Sequence, residues 1–336
     1  MRQLSLGPAL AVLVVTLASS ATADTIPWPA KAPIYAHIVI VVEENKDNKQ
    51  IDKSKAAAFL KALAASGASF GQMFGEEHNS EGNYFWLFSG DNQGVGWEDA
   101  IPTEQLTTSN LGQQLIAHPR GDKKMFAGYA ENLPAIGSEQ KTDPDPCKGN
   151  DCIYGRKHVP WISFANLPHG ASADTTNLRF ADFPQDYTKL PVVAFVIPNL
   201  VNDMHNGGKK QGGVEAQIKA GDDWLKDKLK GYADWATKNN SLLIVTFDES
   251  DKGGKAPGLT DPSSKVTVKR NQIFTIFVGA HIKPGFVEGH PANHVTILRT
   301  IEAMYGLPKS GKQQEFAAKA GISDDYIVTD LFDTMP

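Results

Sequence analysis

The sequence predicts an α/β protein built around a mostly parallel sheet, and three stretches carry that expectation. Ile38 to Val42, Pro191 to Pro198 and Leu242 to Phe247 are continuous apolar runs rich in β-branched residues. Strands buried on both faces read this way, whereas strands with one wet face alternate. The runs also end alike. HIVIVVEEN closes on Glu43, Glu44 and Asn45, LLIVTF closes on Asp248 and Glu249, and PVVAFVIP leads to Asn199, Asp203 and His205. In open α/β sheets, ligand chemistry gathers beyond the carboxyl ends of the strands.

The chain has 336 residues, a formal net charge of −5 and a pI near 6.0. Its length suits one large α/β domain with a substantial core. Nucleic-acid binding lacks the basic bias it needs, so no nucleic acid is expected as a partner. Met1-Arg2-Gln3, the apolar Leu4 to Leu17 and Ala21-Thr22-Ala23 read as a signal peptide over residues 1–23, with Asp24 as the mature start. The apolar run is short for a bilayer span, and no later segment approaches that length. The expectation is a secreted or periplasmic protein without stable membrane insertion. Cys147 and Cys152 in DPCKGNDC are expected to close a small disulfide loop, because exported chains mature where thiols oxidise.

The elements follow in order. KAAAFLKALAASG is a helix with Phe59, Leu60 and Leu63 on one side and Gly67 as its stop. Strand then helix is the crossover unit of a parallel sheet. GEEHNSEGNYFWLFSG, from Gly75 to Gly90, starts polar and turns aromatic at Tyr84, as a loop feeding a helix packed on the sheet. Such a helix start points backbone N–H groups at an anion. Leu106 to His118 reads as an amphipathic helix. The loop-rich stretch around 125–180, holding both cysteines and YGRKHVPW, reads as a cap insertion beside the sheet within a single domain over 24–336. Asp222 to Asn239 is a helix with Leu225, Leu229, Tyr232 and Ala236 at helical spacing. Ser250 to Lys269 reads as a flap, and Ile273 to Val278 as a fourth strand. GHPANH then opens the helix VTILRTIEAMYG, with Ile297, Leu298, Ile301, Met304 and Tyr305 inward. Trp86, Trp161, Trp224 and Trp235 suit packing, and Lys209-Lys210 suits a solvated surface.

Side-by-side strand ends bring Glu44, Asn45, Asp248 and Glu249 toward one point. Carboxylates gathered in one cavity repel and raise one another's pKa values. A divalent cation removes that conflict, and oxygen ligands suit a hard metal. Such an ion acts as a Lewis acid on an anionic substrate. Ser80, in His-Asn-Ser-Glu-Gly-Asn, is the natural nucleophile beside it.

The stretches HIVIVVEEN, HNSEGNYFWLFSG, FAGYAENLP, GRKHVPWISF, PVVAFVIPNLVNDMHNG, GDDWLKDKL, LLIVTFDES and HVTILRTIEAMYGLP occur in that order from Tyr35 to Pro308. In this the chain resembles the phosphoesterase family that joins secreted acid phosphatases and certain bacterial phospholipases C, a branch of the alkaline-phosphatase-like superfamily. The resemblance implies a three-layer sandwich, one or more divalent metal ions of open identity, and a phosphomonoester hydrolysed through a phosphoserine. It implies Glu44, Asn45, Asp248 and Glu249 as metal ligands and Ser80 as nucleophile. Asn83 becomes a phosphate-oxygen donor, and the D-x-H segment supplies Asp203 and His205, with His205 as the acid for the leaving group. His294 would contact metal or phosphate, and His78 the substrate. The family pattern around the nucleophile is His-Pro-Ser-x-Pro-Asn-Tyr, whereas Asn79 and Gly82 replace both prolines here, which loosens the loop. The aromatic usual after EEN is missing from Lys46-Asp-Asn-Lys-Gln. Two other readings stand beside this one: a phospholipase C-type phosphodiesterase, and a non-catalytic exported binding protein on the same fold. His158 and His290 are open between packing and site roles, while His37, His118, His169 and His281 are read as structural.

Overall fold

A sheet of eight strands carries the fold. The strands in chain order are β1 (His37–Glu43), β2 (Ala68–Phe70), β3 (Met73–Phe74), β4 (Phe126–Ala130), β5 (Thr142–Asp143), β6 (Tyr154–Gly155), β7 (Asn177–Arg179), β8 (Val193–Ile197), β9 (Ser241–Phe247), β10 (Ile276–Gly279), β11 (Phe286–Glu288) and β12 (Ala292–Asn293). The helices are α1 (Asn48–Lys53), α2 (Ala58–Ser66), α3 (Ser80–Ser89), α4 (Leu111–Ala117), α5 (Val214–Ala236) and α6 (His294–Tyr305). The computed structural model describes residues 28, 33–95, 100–148, 151–205, 212–251 and 271–333. The signal peptide expected over 1–23, Lys209-Lys210 and the part of the expected Ser250 to Lys269 flap beyond Asp251 lie outside the described residues.

The main sheet runs β11-β2-β10-β9-β1-β8-β4-β7, and β10 is its antiparallel strand. β1, β8 and β9 are buried along their whole length, as their unbroken apolar runs require. α2 and α5 pack on one another and on β10, while α3 packs on α4 and α6, giving the three layers of an α/β/α sandwich. Phe88 of α3 meets Phe126, Phe164 and Phe195 at centroid distances of 5.4, 5.6 and 5.5 Å. Emptying such a site with Phe88→Ala would cost about 3–5 kcal/mol. The aromatic half of α3 therefore fixes where its first residue, Ser80, stands.

Three sequence expectations change. Phe126–Ala130 and Asn177–Arg179 belong to the main sheet, although both lie within the stretch read as a cap insertion. Gly128 within FAGYA makes room for the Trp161 ring, since a Cβ there would come within 2.1 Å of it. The fourth strand begins at Ile276 and runs antiparallel, so its end does not join the other three. The chain instead returns through β11, parallel to β2, before reaching α6. The helix expected from Leu106 starts at Leu111, where the Asn110 side chain accepts from Gln113 N at 2.9 Å. Cys147 and Cys152 are joined, with Cα atoms 5.5 Å apart. Among the described residues no helix is long and apolar enough to cross a membrane.

Candidate active site

Strand register builds the site. Glu43 pairs with Phe247 across β1 and β9, so Glu44 and Asp248 leave the sheet side by side. Asp248 N donates to Glu43 O at 3.0 Å, and Glu44 N donates to Asp203 O at 2.7 Å, which draws in the segment after β8. Asn45 then turns the chain with φ of 50°, a left-handed conformation that asparagine tolerates better than most residues.

Glu44 is fully buried and lies at the centre of the cluster. Its Oε2 accepts from Ser80 Oγ at 3.3 Å, and its Oε1 accepts from the Tyr84 hydroxyl at 2.7 Å. His158 Nε2 stands 3.0 Å from Oε1 and His205 Nδ1 stands 3.5 Å from Oε2. Burial alone would raise its pKa, but the charges of His158 and His205 outweigh burial and hold the carboxyl below its ordinary range. Asn45 N donates to Asp248 Oδ1 at 3.0 Å. The Asn45 amide is satisfied when its nitrogen donates to both Asp248 oxygens and its oxygen accepts from His205 Nε2, each at 3.2 Å. Ser80 also hydrogen-bonds the Asp248 carboxyl. Buried Lys46 donates its ammonium to Asn45 O at 2.8 Å.

Excess negative charge is visible at the neighbouring acids. Asp203 is pushed up to about 7 by burial and then by the Glu44 charge. One of its oxygens accepts from His205 N at 2.9 Å, and the other is buried without a hydrogen-bond partner. Burial, then Glu44 and Glu249, raise Asp248 well above the carboxylate range. The same negative charge raises His205 as well, which favours its charged form. Burial opposes its protonated form, yet the bond and charge of Glu44 together with Asp203 raise its pKa. Its side chain remains 37% exposed, so it can meet a ligand.

Of the residues expected at the site, Glu44, Asn45, Ser80, His205 and Asp248 share this network. Glu249 adjoins it through His78 Nδ1 at 2.5 Å and Asn79 N at 3.0 Å. His78 thus faces a carboxylate, and its Nε2 is buried without a partner. Two expectations meet a different arrangement. Asn83 spends its amide on the loop: Oδ1 accepts from Glu77 N at 2.9 Å and Nδ2 donates to Glu77 O at 2.8 Å. It braces the nucleophile turn, and one N–H of its amide is spent there. His294 is completely buried, with Nδ1 2.5 Å from Glu76 Oε2 and Nε2 donating to Phe247 O at 2.8 Å. Both ring nitrogens are engaged within the protein.

Sequence reasoning left His158 open and did not single out Tyr84. Their rings stack at 5.1 Å and 15°, and both reach Glu44 Oε1. The available signal was a tyrosine one helical turn after Ser80, on the same face of α3. His158 comes from the stretch between β6 and β7, and nothing local marks it.

The donor set fits a divalent cation. Glu44, Asp203, Asp248 and Glu249 are buried carboxyls from three strand ends, and Asp203 offers an unpartnered oxygen. Donor atoms of Glu44, His158 and Asp203 lie within 4.8 Å of one another. Raised acids and an oxygen-rich shell are what a hard cation neutralises. A second group with the same spacing, Glu288, His290 and Asp330, lies elsewhere and is largely exposed.

Comparison with known proteins gives the fold and the family. A protein in the alkaline phosphatase superfamily from Vibrio parahaemolyticus aligns over 86% of this chain and 70% of its own, with 14% identity and a TM-score of 0.56. That likeness shows the fold, which is alkaline-phosphatase-like. The phosphatidylinositol-3-phosphatase of Mycobacterium tuberculosis is 41% identical over 281 residues, covering 83% of this chain and 80% of that protein. An acid phosphatase of Aspergillus fumigatus is 26% identical over 79% of this chain and 54% of its own length. Residues 49–308 match the phosphoesterase family. The chain belongs to that family and is a hydrolase acting on phosphoric ester bonds.

Proposed function

We propose that this hydrolase is an exported, metal-dependent phosphomonoesterase of acid-phosphatase type that works through a phosphoserine on Ser80. The observation that carries the reading is Ser80 Oγ, 3.3 Å from Glu44 at the first position of a helix whose N-cap Asn79 makes no side-chain cap. Glu44, Asn45, Asp248 and Glu249 would hold the cation, with Asp203 beside them. A bound divalent ion supplies Lewis-acid stabilisation of phosphate charge and favours ionisation of a neighbouring hydroxyl.

The chain's own residues do the rest. Ser80 Oγ passes its proton to the Asp248 carboxylate it hydrogen-bonds and forms the new P–O bond as the ester P–O bond breaks in line; Asp248 returns that proton to Ser80 when phosphate leaves. First-turn N–H groups of α3 stabilise negative charge on the phosphate oxygens. His205, whose protonated form Glu44 and Asp203 favour, gives its proton to the departing alcohol oxygen. Water, losing a proton to His205, then releases phosphate and restores Ser80. Tyr84 and His158 keep Glu44 ionised and oriented. Export rests on the signal-peptide pattern at the N-terminus.

Monoesters are favoured over diesters because the relatives above are named as phosphatases. The 41% identity to a phosphatidylinositol-3-phosphatase supports a second substrate class, a monoester on an inositol lipid. The test compares an aryl phosphate, phosphatidylinositol 3-phosphate in vesicles and phosphatidylcholine, with parent and Ser80→Ala, before and after chelation. Hydrolysis of one or both monoesters, lost on chelation and in Ser80→Ala, is expected. Turnover by Ser80→Ala, or full activity after metal removal, overturns the mechanism. Preference for phosphatidylcholine overturns the substrate class.

A further inference from the structure

The turn that carries Ser80 lacks both prolines of the resembling pattern, yet it is tied at each end. Glu77 stands three residues before Ser80 and is 2% exposed. Its backbone N–H donates to Asn83 Oδ1 at 2.9 Å, and its carbonyl accepts from Asn83 Nδ2 at 2.8 Å, closing a ring with Ser80 in the middle. Asn271 Nδ2 adds a bond to the same carbonyl at 2.8 Å, which anchors the ring to the segment before β10. The Glu77 side chain folds back over the helix start. Its Oε1 accepts from Trp86 Nε1 at 2.9 Å and from Asn92 Nδ2 at 2.6 Å. Its Oε2 occupies the space beside Gly82, 2.6 Å from where a Cβ would stand. Gly82 lies in the first turn of α3, where a carboxylate also complements the helix dipole.

We infer that Glu77 is the positioning residue for Ser80, and that Gly82 is glycine to admit its carboxylate. The pair replaces a stiff backbone with a hydrogen-bonded clamp that spans the end of β3 to the second turn of α3. The inference rests on Ser80 being the nucleophile. No group of Glu77 is assigned to the substrate: it acts by fixing where Ser80 Oγ points relative to Glu44 and Asp248. A nucleophile displaced by about 1 Å loses on the order of 100-fold in rate, whereas binding at the cation is untouched.

The experiment measures kcat and KM on an aryl phosphate for Glu77→Gln, Glu77→Ala, Gly82→Ala and the double variant Glu77→Ala/Gly82→Ala, in the metal-loaded protein. Folded fraction is read by near-UV circular dichroism at the assay temperature. Glu77→Ala and Gly82→Ala should each lower kcat about 10- to 100-fold with KM near the parent value. Glu77→Gln keeps an oxygen for Trp86 and Asn92 and should recover most of the loss. With the carboxylate gone, the Gly82 methyl has little left to displace, so the double variant should fall no further than Glu77→Ala. Should Glu77→Ala fail to fold, Glu77→Gln and Gly82→Ala decide. Parental kcat in both Glu77→Ala and Gly82→Ala overturns the inference. So do losses that add in the double variant, or a kcat loss no larger than the loss of folded protein. Ser80→Ala runs alongside. If it stays active, the nucleophile reading falls by itself; if it is dead while the Glu77 and Gly82 variants match the parent, only the clamp falls.

Discussion

Glu44 and Glu76 are both fully buried glutamates facing histidines from distant parts of the chain, and they do opposite things. Glu76 is saturated. Its oxygens take His294 Nδ1 and Val295 N, and His294 spends its other nitrogen on Phe247 O. The pair pins the start of α6 to the end of β9. Around Glu44 the supply of acid exceeds the supply of partners. Asp203 keeps an unpartnered oxygen, Asp203 and Asp248 are driven toward protonation, and His205 opens to solvent. A closed ion pair holds a fold together, whereas an open and overcharged one is ready for a cation and a substrate.

The sharpest way to break this contrast is to remove the nucleophile on the open side. Ser80→Ala is expected to lower kcat on an aryl phosphate by about 10⁴-fold or more with an unchanged melting temperature. Next comes the closed side. His294→Ala leaves Glu76 buried without its histidine partner, at a cost of about 3–5 kcal/mol in chemical denaturation. Turnover per folded molecule should hold. A variant with parental stability and lost turnover would move His294 into the site and erase the distinction.

His205→Ala tests the exposed arm of the open cluster. It should reduce kcat about 10²- to 10³-fold for an alkyl phosphate, whose leaving oxygen needs a proton, and far less for 4-nitrophenyl phosphate. Equal losses for both leaving groups would remove His205 as the acid. The smallest effect is in stability against pH. Asp203 has a folded pKa of about 7, raised above its unfolded value. Its stabilising contribution is therefore present below about pH 4 and lost as pH rises through about 7. Asp248 shifts in the same direction. Chelated protein should melt at a lower temperature at about pH 8 than at about pH 5, and a divalent cation should raise the melting temperature more at the higher pH. A flat profile for the chelated protein would mean that the acids are already neutralised within the protein.

Much of the frame was legible beforehand, for a local reason. β1, β8 and β9 are buried on both faces, so their sequences are apolar without interruption and announce themselves. β4 does not announce itself in this way: the glycine at its centre makes room for Trp161, a residue from another part of the chain. β10 was found as a strand, but its direction depends on where β2 and β11 take the chain, which periodicity does not encode.

The site divides along the same line. By itself the sequence determined that carboxylates and an amide crown the buried strands, and that a serine opens an aromatic helix. Those are properties of neighbouring residues. Only the tertiary structure decided which polar atoms remain to act, because each one's partner is contributed by a segment far away in the chain. Asn83 spends one N–H on Glu77, and His294 engages both nitrogens with Glu76 and Phe247. His158 gained Glu44 from across the fold, and Glu77 gained the space left by Gly82.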